Sequence, residues 1–139
     1  MTTQTHIAEA ESSLAQAYAQ LERIKEMVEA HMAGKGYDGY EFASEAIQDD
    51  ALSVQVRSGW HVPSEVLRFE AAEYEILLCT GGPAVRIVGE LNQDGEPVTA
   101  TLEHQHWFTP WTRVDLRAST VLNAEGVMLT YANQFYFGG

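Results

Sequence analysis

The stretch EYEILLCTGGPAVRIVGEL, residues 73–91, decides the fold class of this 139-residue chain. Its first part, Glu73–Thr80, begins by alternating polar and apolar side chains and ends as an apolar run, which is typical of a central strand. Gly81-Gly82-Pro83 supplies turn residues, and Ala84–Leu91 follows as a second strand. The pattern therefore predicts an antiparallel hairpin within a sheet.

Further strands are predicted on both sides of this hairpin. Leu52–Arg57 alternates with period two, and Val98–Trp107 alternates again after a turn at Asp94-Gly95. Four consecutive strands with short links predict an antiparallel meander.

Helices are predicted before and after these strands. The apolar residues of Ile7–Met32 recur at helical spacing, and Gly34-Lys35-Gly36 ends the run. Glu41–Asp50 fits a short acidic helix, and Ser119–Phe137 fits a C-terminal helix with Ser119 as its N-cap. We expect an α+β fold, a four-stranded antiparallel sheet with the long N-terminal helix and the C-terminal helix on one face. The expected organisation is a single domain, 1–139, with the long helix in 1–35 and the sheet and short helices in 36–139.

The apolar stripe of the first helix is a candidate contact surface. A helix of about 27 residues is about 40 Å long, which exceeds the expected width of the remaining domain. Part of the stripe should therefore overhang and bind either a second copy of the chain or another protein, unless the helix folds back over the sheet. The stripe residues are Ile7, Leu14, Leu21, Ile24 and Val28.

Charge is the most unusual global property of the chain. It has 20 acidic and 8 basic residues, a formal net charge of -12, and residues 36–75 alone have nine acids and two bases. Such a field repels nucleic acid and anionic lipid and speeds encounter with basic protein surfaces. Its simpler consequence is solubility. A single cysteine and the lack of a leader or of a membrane-length apolar run favour a cytoplasmic protein.

Two groups of residues are candidates for metal binding or catalysis. His104 and His106 share one face of a predicted strand, so they could contribute to a metal site if further ligands converged. Cys79 precedes a glycine-rich turn and could act as a nucleophile with either histidine as base. The alternative is a partly buried strand end and a buried apolar thiol. We expect no cofactor and no enzymatic activity.

Five blocks of residues form a specific pattern: LSVQVRSGW (52–60), YEILLCTGGPAVRI (74–87), GEL (89–91), WFTPW (107–111) and FYFG (135–138). This pattern resembles a group of small acidic proteins from bacteriophages, prophages and related mobile elements. The likeness leaves out the N-terminal helix and implies no catalytic residue. Members of the group tend to have an acid and a glycine between the tryptophan blocks, where this chain has His104, His106 and Phe108.

A phage context implies a function class. In size and charge alone, the chain is similar to anti-CRISPR and antirestriction proteins, which bind a host effector and block its nucleic-acid channel or its assembly. We therefore expect an inhibitor that binds a basic host protein or nucleoprotein complex, such as a CRISPR effector or a restriction enzyme, without touching nucleic acid or membrane itself. The candidate contacts are Tyr37, Asp38, Tyr40, Glu41, Glu45, Asp49, Asp50, Glu65 and Trp111.

Two alternatives from other classes stay open. One is a phage structural or accessory protein that dimerises through the first helix. The other is an enzyme or metal-dependent sensor built on Cys79, His104 and His106.

Overall fold

The computed structural model describes residues 2–60, 62–63, 71–107 and 109–137, with side chains described from residue 12 onwards. Within these residues, three helices and five strands follow one another. They are α1 (Thr2–Met32), α2 (Ala43–Asp50), β1 (Ser53–Ser58), β2 (Ala71–Cys79), β3 (Ala84–Glu90), β4 (Thr101–Gln105), β5 (Thr112–Arg113) and α3 (Ala124–Ala132), with a short 3-10 turn at Leu116–Ala118.

The strands form one antiparallel sheet in the order β1-β2-β3-β4-β5. The predicted α+β class and the meander are confirmed, but the sheet has five strands, so the predicted count of four is wrong. The additional strand is β5, which pairs Thr112 with His104 and Arg113 with Glu103. A two-residue strand beside Pro110 is too short to show any periodicity, so only its partner strand reveals it.

The apolar side chains of the sheet point towards the helices. Val54, Ile76, Ile87 and Leu102 lie opposite one another across four strands. The last three of them are fully buried. Because cross-strand partners share a face, the alternate residues of the same strands form an outer face, which is polar.

The helices cover the inner face of the sheet. α1 contacts α3, α2, β4 and β3, and its side chains Leu21, Ile24 and Met27 are fully buried. α3 contributes Met128 and Tyr131 to the same core. Among the described helices, none has the length and apolar character needed to cross a membrane.

The C-terminal helix differs from its predicted bounds. α3 begins at Ala124 instead of Ser119, because Asn123 adopts a left-handed conformation with φ of 52°. The Ser119 hydroxyl accepts a hydrogen bond from the Val121 amide at 2.9 Å, which forms a local turn and does not cap the helix. After α3 ends at Ala132, the chain folds back, and the Phe137 ring packs on the Tyr74 ring at 5.1 Å.

Candidate functional site

The segment between α1 and α2 is a tight hairpin. The backbones of Tyr37 and Tyr40 exchange two hydrogen bonds, of 3.1 and 2.9 Å. Asp38 and Gly39 occupy the two central positions with φ of 48° and 86°, as a type I′ turn requires. The Asp38-Gly39 pair is the sequence signal for this turn, because Asp and Gly tolerate positive φ.

Gly36 lets the hairpin fold closely against the chain. A Cβ atom at this position would lie 2.2 Å from the carbonyl oxygen of Tyr40 and 2.9 Å from that of Glu41. Neither backbone atom can move without opening the turn. The hairpin is therefore held in one position at the start of α2.

Both tyrosines of the hairpin donate hydrogen bonds to carboxylates. The Tyr37 hydroxyl donates to Oε2 of Glu26 at 2.9 Å, and the Tyr40 hydroxyl donates to Oδ2 of Asp49 at 2.8 Å. Burial and the bond to Glu26 raise the pKa of Tyr37, and the bond to Asp49 raises the pKa of Tyr40. Both hydroxyls therefore stay protonated at neutral pH and fix the carboxylates that they contact.

Four candidate acids are exposed at this end of the molecule. Asp38, Glu41, Glu45 and Asp49 are solvent-accessible. Among the described residues, Asp38 forms a long ion pair of 3.9 Å with Arg23. We name these four acids, with Tyr40 and Phe42, the acidic surface. Phe42 is 55% exposed, so the acidic surface combines carboxylates with an apolar ring.

Asp50 has a different environment from its neighbour Asp49. Its side chain is only 10% exposed. It accepts hydrogen bonds from Nε of Arg23 at 3.0 Å and from the hydroxyl of the buried Tyr131 at 2.8 Å. Asp50 therefore links α2 to α1 and α3, and the structure places it inside the molecule and not among the exposed acids.

Of the other two candidate contacts, only Trp111 is described by the structure, and it lies apart from the acidic surface. Trp111 is on the outer face of the sheet, where the guanidinium of Arg86 stacks over its ring at 4.2 Å. Glu65 lies outside the described residues. The structure thus brings together the predicted contacts from Tyr37 to Asp49 and separates Trp111 from them.

The outer face also has an ion-pair cluster that the sequence analysis missed. Arg86 donates to Glu75 at 2.6 Å and to Glu103 at 2.8 Å, and all three side chains are about three-quarters buried or more. These residues line a groove of roughly 450 Å³ across the middle strands. Opposite charges at alternate positions of β2, β3 and β4 were the signal for this cluster.

Most of the apolar stripe of α1 is covered within the chain. Leu21, Ile24 and Val28 are buried, and Leu14 packs against the same core. These four residues do not form an exposed surface for a second copy. The side chain of Ile7 lies outside the described part of the structure, so the hypothesis of a helix-mediated homodimer rests on that residue alone.

The candidate catalytic residues His104 and His106 each contact a hydroxyl group. Nδ1 of His104 lies 2.8 Å from the hydroxyl of the buried Ser13, and Nδ1 of His106 lies 3.3 Å from that of Thr109. Burial, with a smaller effect from His106, lowers the pKa of His104. Burial raises the pKa of the Cys79 thiol, which disfavours a reactive thiolate. In the described part of the chain, no three His, Cys, Asp or Glu side chains are grouped to hold a metal ion.

Comparisons of this chain with protein families, with curated proteins and with solved structures find no match.

Proposed function

We propose that the chain is an inhibitor of a host defence system, encoded by a phage or a related mobile element. In this proposal it acts by docking the acidic surface on a basic, nucleic-acid-binding surface of a host protein or nucleoprotein complex. The phage or mobile-element origin is taken from the resemblance in sequence blocks, and the inhibitor class from the similarity in size and charge alone. The mode of action is argued from the geometry of the acidic surface.

The observation that carries the proposal is the group of exposed carboxylates that lies around the Tyr37–Tyr40 hairpin. Asp49 is held by the Tyr40 hydroxyl, and Glu45 lies one helical turn before Asp49 on α2. Because the Asp49 carboxylate is already held before binding, a partner loses little conformational entropy when it engages this group. The exposed ring of Phe42, which follows Glu41 in the chain, adds apolar contact area to this surface.

The net charge of the chain also supports binding to a basic surface. A net charge of -12 attracts a basic surface from a distance, and the exposed acids then select the orientation in which the two surfaces meet. A surface evolved to bind phosphates has the complementary pattern of lysine and arginine side chains. A protein that occupies such a surface excludes the nucleic acid by competition.

The test is affinity capture from a bacterial lysate with two immobilised proteins side by side. One is the wild-type chain, and the other carries Glu41→Gln, Glu45→Gln and Asp49→Asn. We expect lysine- and arginine-rich proteins that bind nucleic acid to be retained by the wild type, lost by the triple variant, and eluted by added salt.

A matched control separates the acidic surface from net charge. Glu90→Gln, Asp94→Asn and Glu96→Gln neutralise three exposed acids in and beside the turn between β3 and β4. This control removes the same charge from another part of the chain and should retain the partner. Equal retention by the wild type and both variants, or equal loss from both variants, would argue against docking through the acidic surface.

A further inference from the structure

β1 is an edge strand with an unoccupied side among the described residues. It pairs with β2 on one side, and no described strand pairs with its other side. An edge of this kind exposes a row of backbone amide and carbonyl groups that another strand can pair with.

Several features that commonly protect sheet edges are missing from β1. The sequence SVQVRS contains neither proline nor lysine, and its one charged residue, Arg57, forms an ion pair with Glu73 on the neighbouring strand. The strand pairing shifts register at two places, and at both places the extra residue belongs to β2. The extra residue is Ala72 in the pairing with β1 and Leu78 in the pairing with β3. β1 itself therefore stays regular and can accept a partner strand.

The segment of chain that contains β1 has no negatively charged residue of its own. No aspartate or glutamate occurs from Ala51 to Ser64, although the whole chain has a net charge of -12. Two copies of so acidic a protein repel each other over most orientations. They repel least where their acid-free segments meet.

Two exposed apolar side chains flank β1 at equal spacing. Leu52 is 59% exposed and Trp60 is fully exposed. Each lies four residues from Val56, one before it and one after it. In an antiparallel pair centred on Val56, residue 52 of one strand therefore lies opposite residue 60 of the other.

We propose that β1 pairs with β1 of a second copy of this chain, antiparallel, about a two-fold axis at Val56. Leu52 of each copy then covers Trp60 of the other, and Gln55 lies opposite Arg57. Each of these pairs joins two even-numbered or two odd-numbered residues, whose side chains lie on the same face of the sheet. Both helix layers therefore stay on the same side of one continuous ten-stranded sheet. The pairing covers both exposed apolar side chains and satisfies the exposed backbone groups.

The dimer and the proposed docking respond to salt in opposite ways. Asp50 is the second residue before Leu52, so the acidic α2 helices of both copies flank the β1 pair and repel each other. Added salt screens this repulsion and strengthens the dimer, whereas it weakens docking on a basic partner. The dimer does not depend on the proposed function, and either can fail without the other.

The first experiment is sedimentation velocity of the full chain over a wide range of protein concentration at low and high salt. We expect a monomer–dimer equilibrium that shifts towards dimer with salt. Trp60→Ser should raise the dimer dissociation constant roughly tenfold or more, because it removes a large apolar contact on each side of the axis. Leu122→Ser, which also changes an exposed apolar residue, is the matched control and should leave the constant unchanged.

The second experiment tests the register by disulfide formation. Val56→Cys places two thiols together on the axis, so mild oxidation should link two copies through position 56, as mapped by mass spectrometry. Val54→Cys lies opposite Ser58 in this register and should give little linked dimer.

Three results would overturn the proposal. They are a chain that stays monomeric at every concentration and salt, a dimer unaffected by Trp60→Ser, and linking that is as efficient at position 54 as at position 56. A dimer that survives Trp60→Ser but is lost when residues 1–11 are removed would assign the interface to α1.

Discussion

Replacing Asp50 should destabilise the fold far more than replacing its neighbour Asp49. The Asp50→Ala change removes the acceptor of the buried Tyr131 hydroxyl and of Arg23. An unsatisfied buried hydroxyl costs about 1–3 kcal/mol. The contact with Arg23, whose side chain is 45% exposed, adds about 0.5–1 kcal/mol after screening by solvent. The expected loss in the free energy of unfolding is about 1.5–4 kcal/mol.

Urea unfolding followed by circular dichroism measures this loss directly. Asp50→Asn keeps an acceptor oxygen for Tyr131 and should lose about half as much as Asp50→Ala. Asp49→Ala removes an exposed carboxylate and should change the free energy of unfolding by about 0.5 kcal/mol or less. If Asp50→Ala and Asp49→Ala unfold at the same urea concentration, the role assigned to Asp50 as a link between helices is refuted.

Three further changes test other parts of the structure. Arg86→Met should lower the free energy of unfolding by about 1–3 kcal/mol, because Glu75 and Glu103 lose their shared cation. It should also shift the fluorescence of Trp111, over whose ring the Arg86 guanidinium stacks. Unchanged stability and unchanged emission would contradict this prediction. Gly36→Ala should lower the free energy of unfolding by about 1–3 kcal/mol, because the added Cβ would overlap the Tyr40 carbonyl oxygen. An unaltered urea midpoint would show that the hairpin is not constrained by this close approach. The pKa of His104 in the folded chain is below its ordinary value of 6.5, so the unfolded chain takes up a proton first and the free energy of unfolding should fall as pH drops below about 6.5. His104→Gln should make the free energy of unfolding less dependent on pH in this range. The same pH dependence in the wild type and the variant would contradict this prediction.

The sheet was largely predictable from sequence because its pattern is local. Glu73–Thr80 and Ala84–Leu91 show strand patterns on both sides of Gly81-Gly82-Pro83, and β2 and β3 follow them closely. β5 was not predictable, because a two-residue strand exists only through its pairing with β4. The start of α3 was missed because the left-handed conformation of Asn123 has no periodic signal.

The candidate site was predictable only in part. Carboxylates and tyrosines between Tyr37 and Asp49 were selected from charge and composition, and the structure brings them together at the hairpin and α2. The sequence could not separate Asp49 from Asp50, because which of two adjacent acids turns inward depends on Arg23 and Tyr131, 27 and 81 residues away. The covered stripe of α1 likewise depends on how the helix packs over the sheet.

The most direct test of docking through the acidic surface is the association rate of the chain with a basic protein captured from lysate, measured by stopped-flow fluorescence at increasing salt. We predict that the rate constant for the wild-type chain falls roughly tenfold or more from low salt to about 0.5 M salt. The variant with Glu41→Gln, Glu45→Gln and Asp49→Asn should bind slowly at low salt and show a much weaker dependence. Equal rate constants for the two chains at every salt concentration would contradict the account.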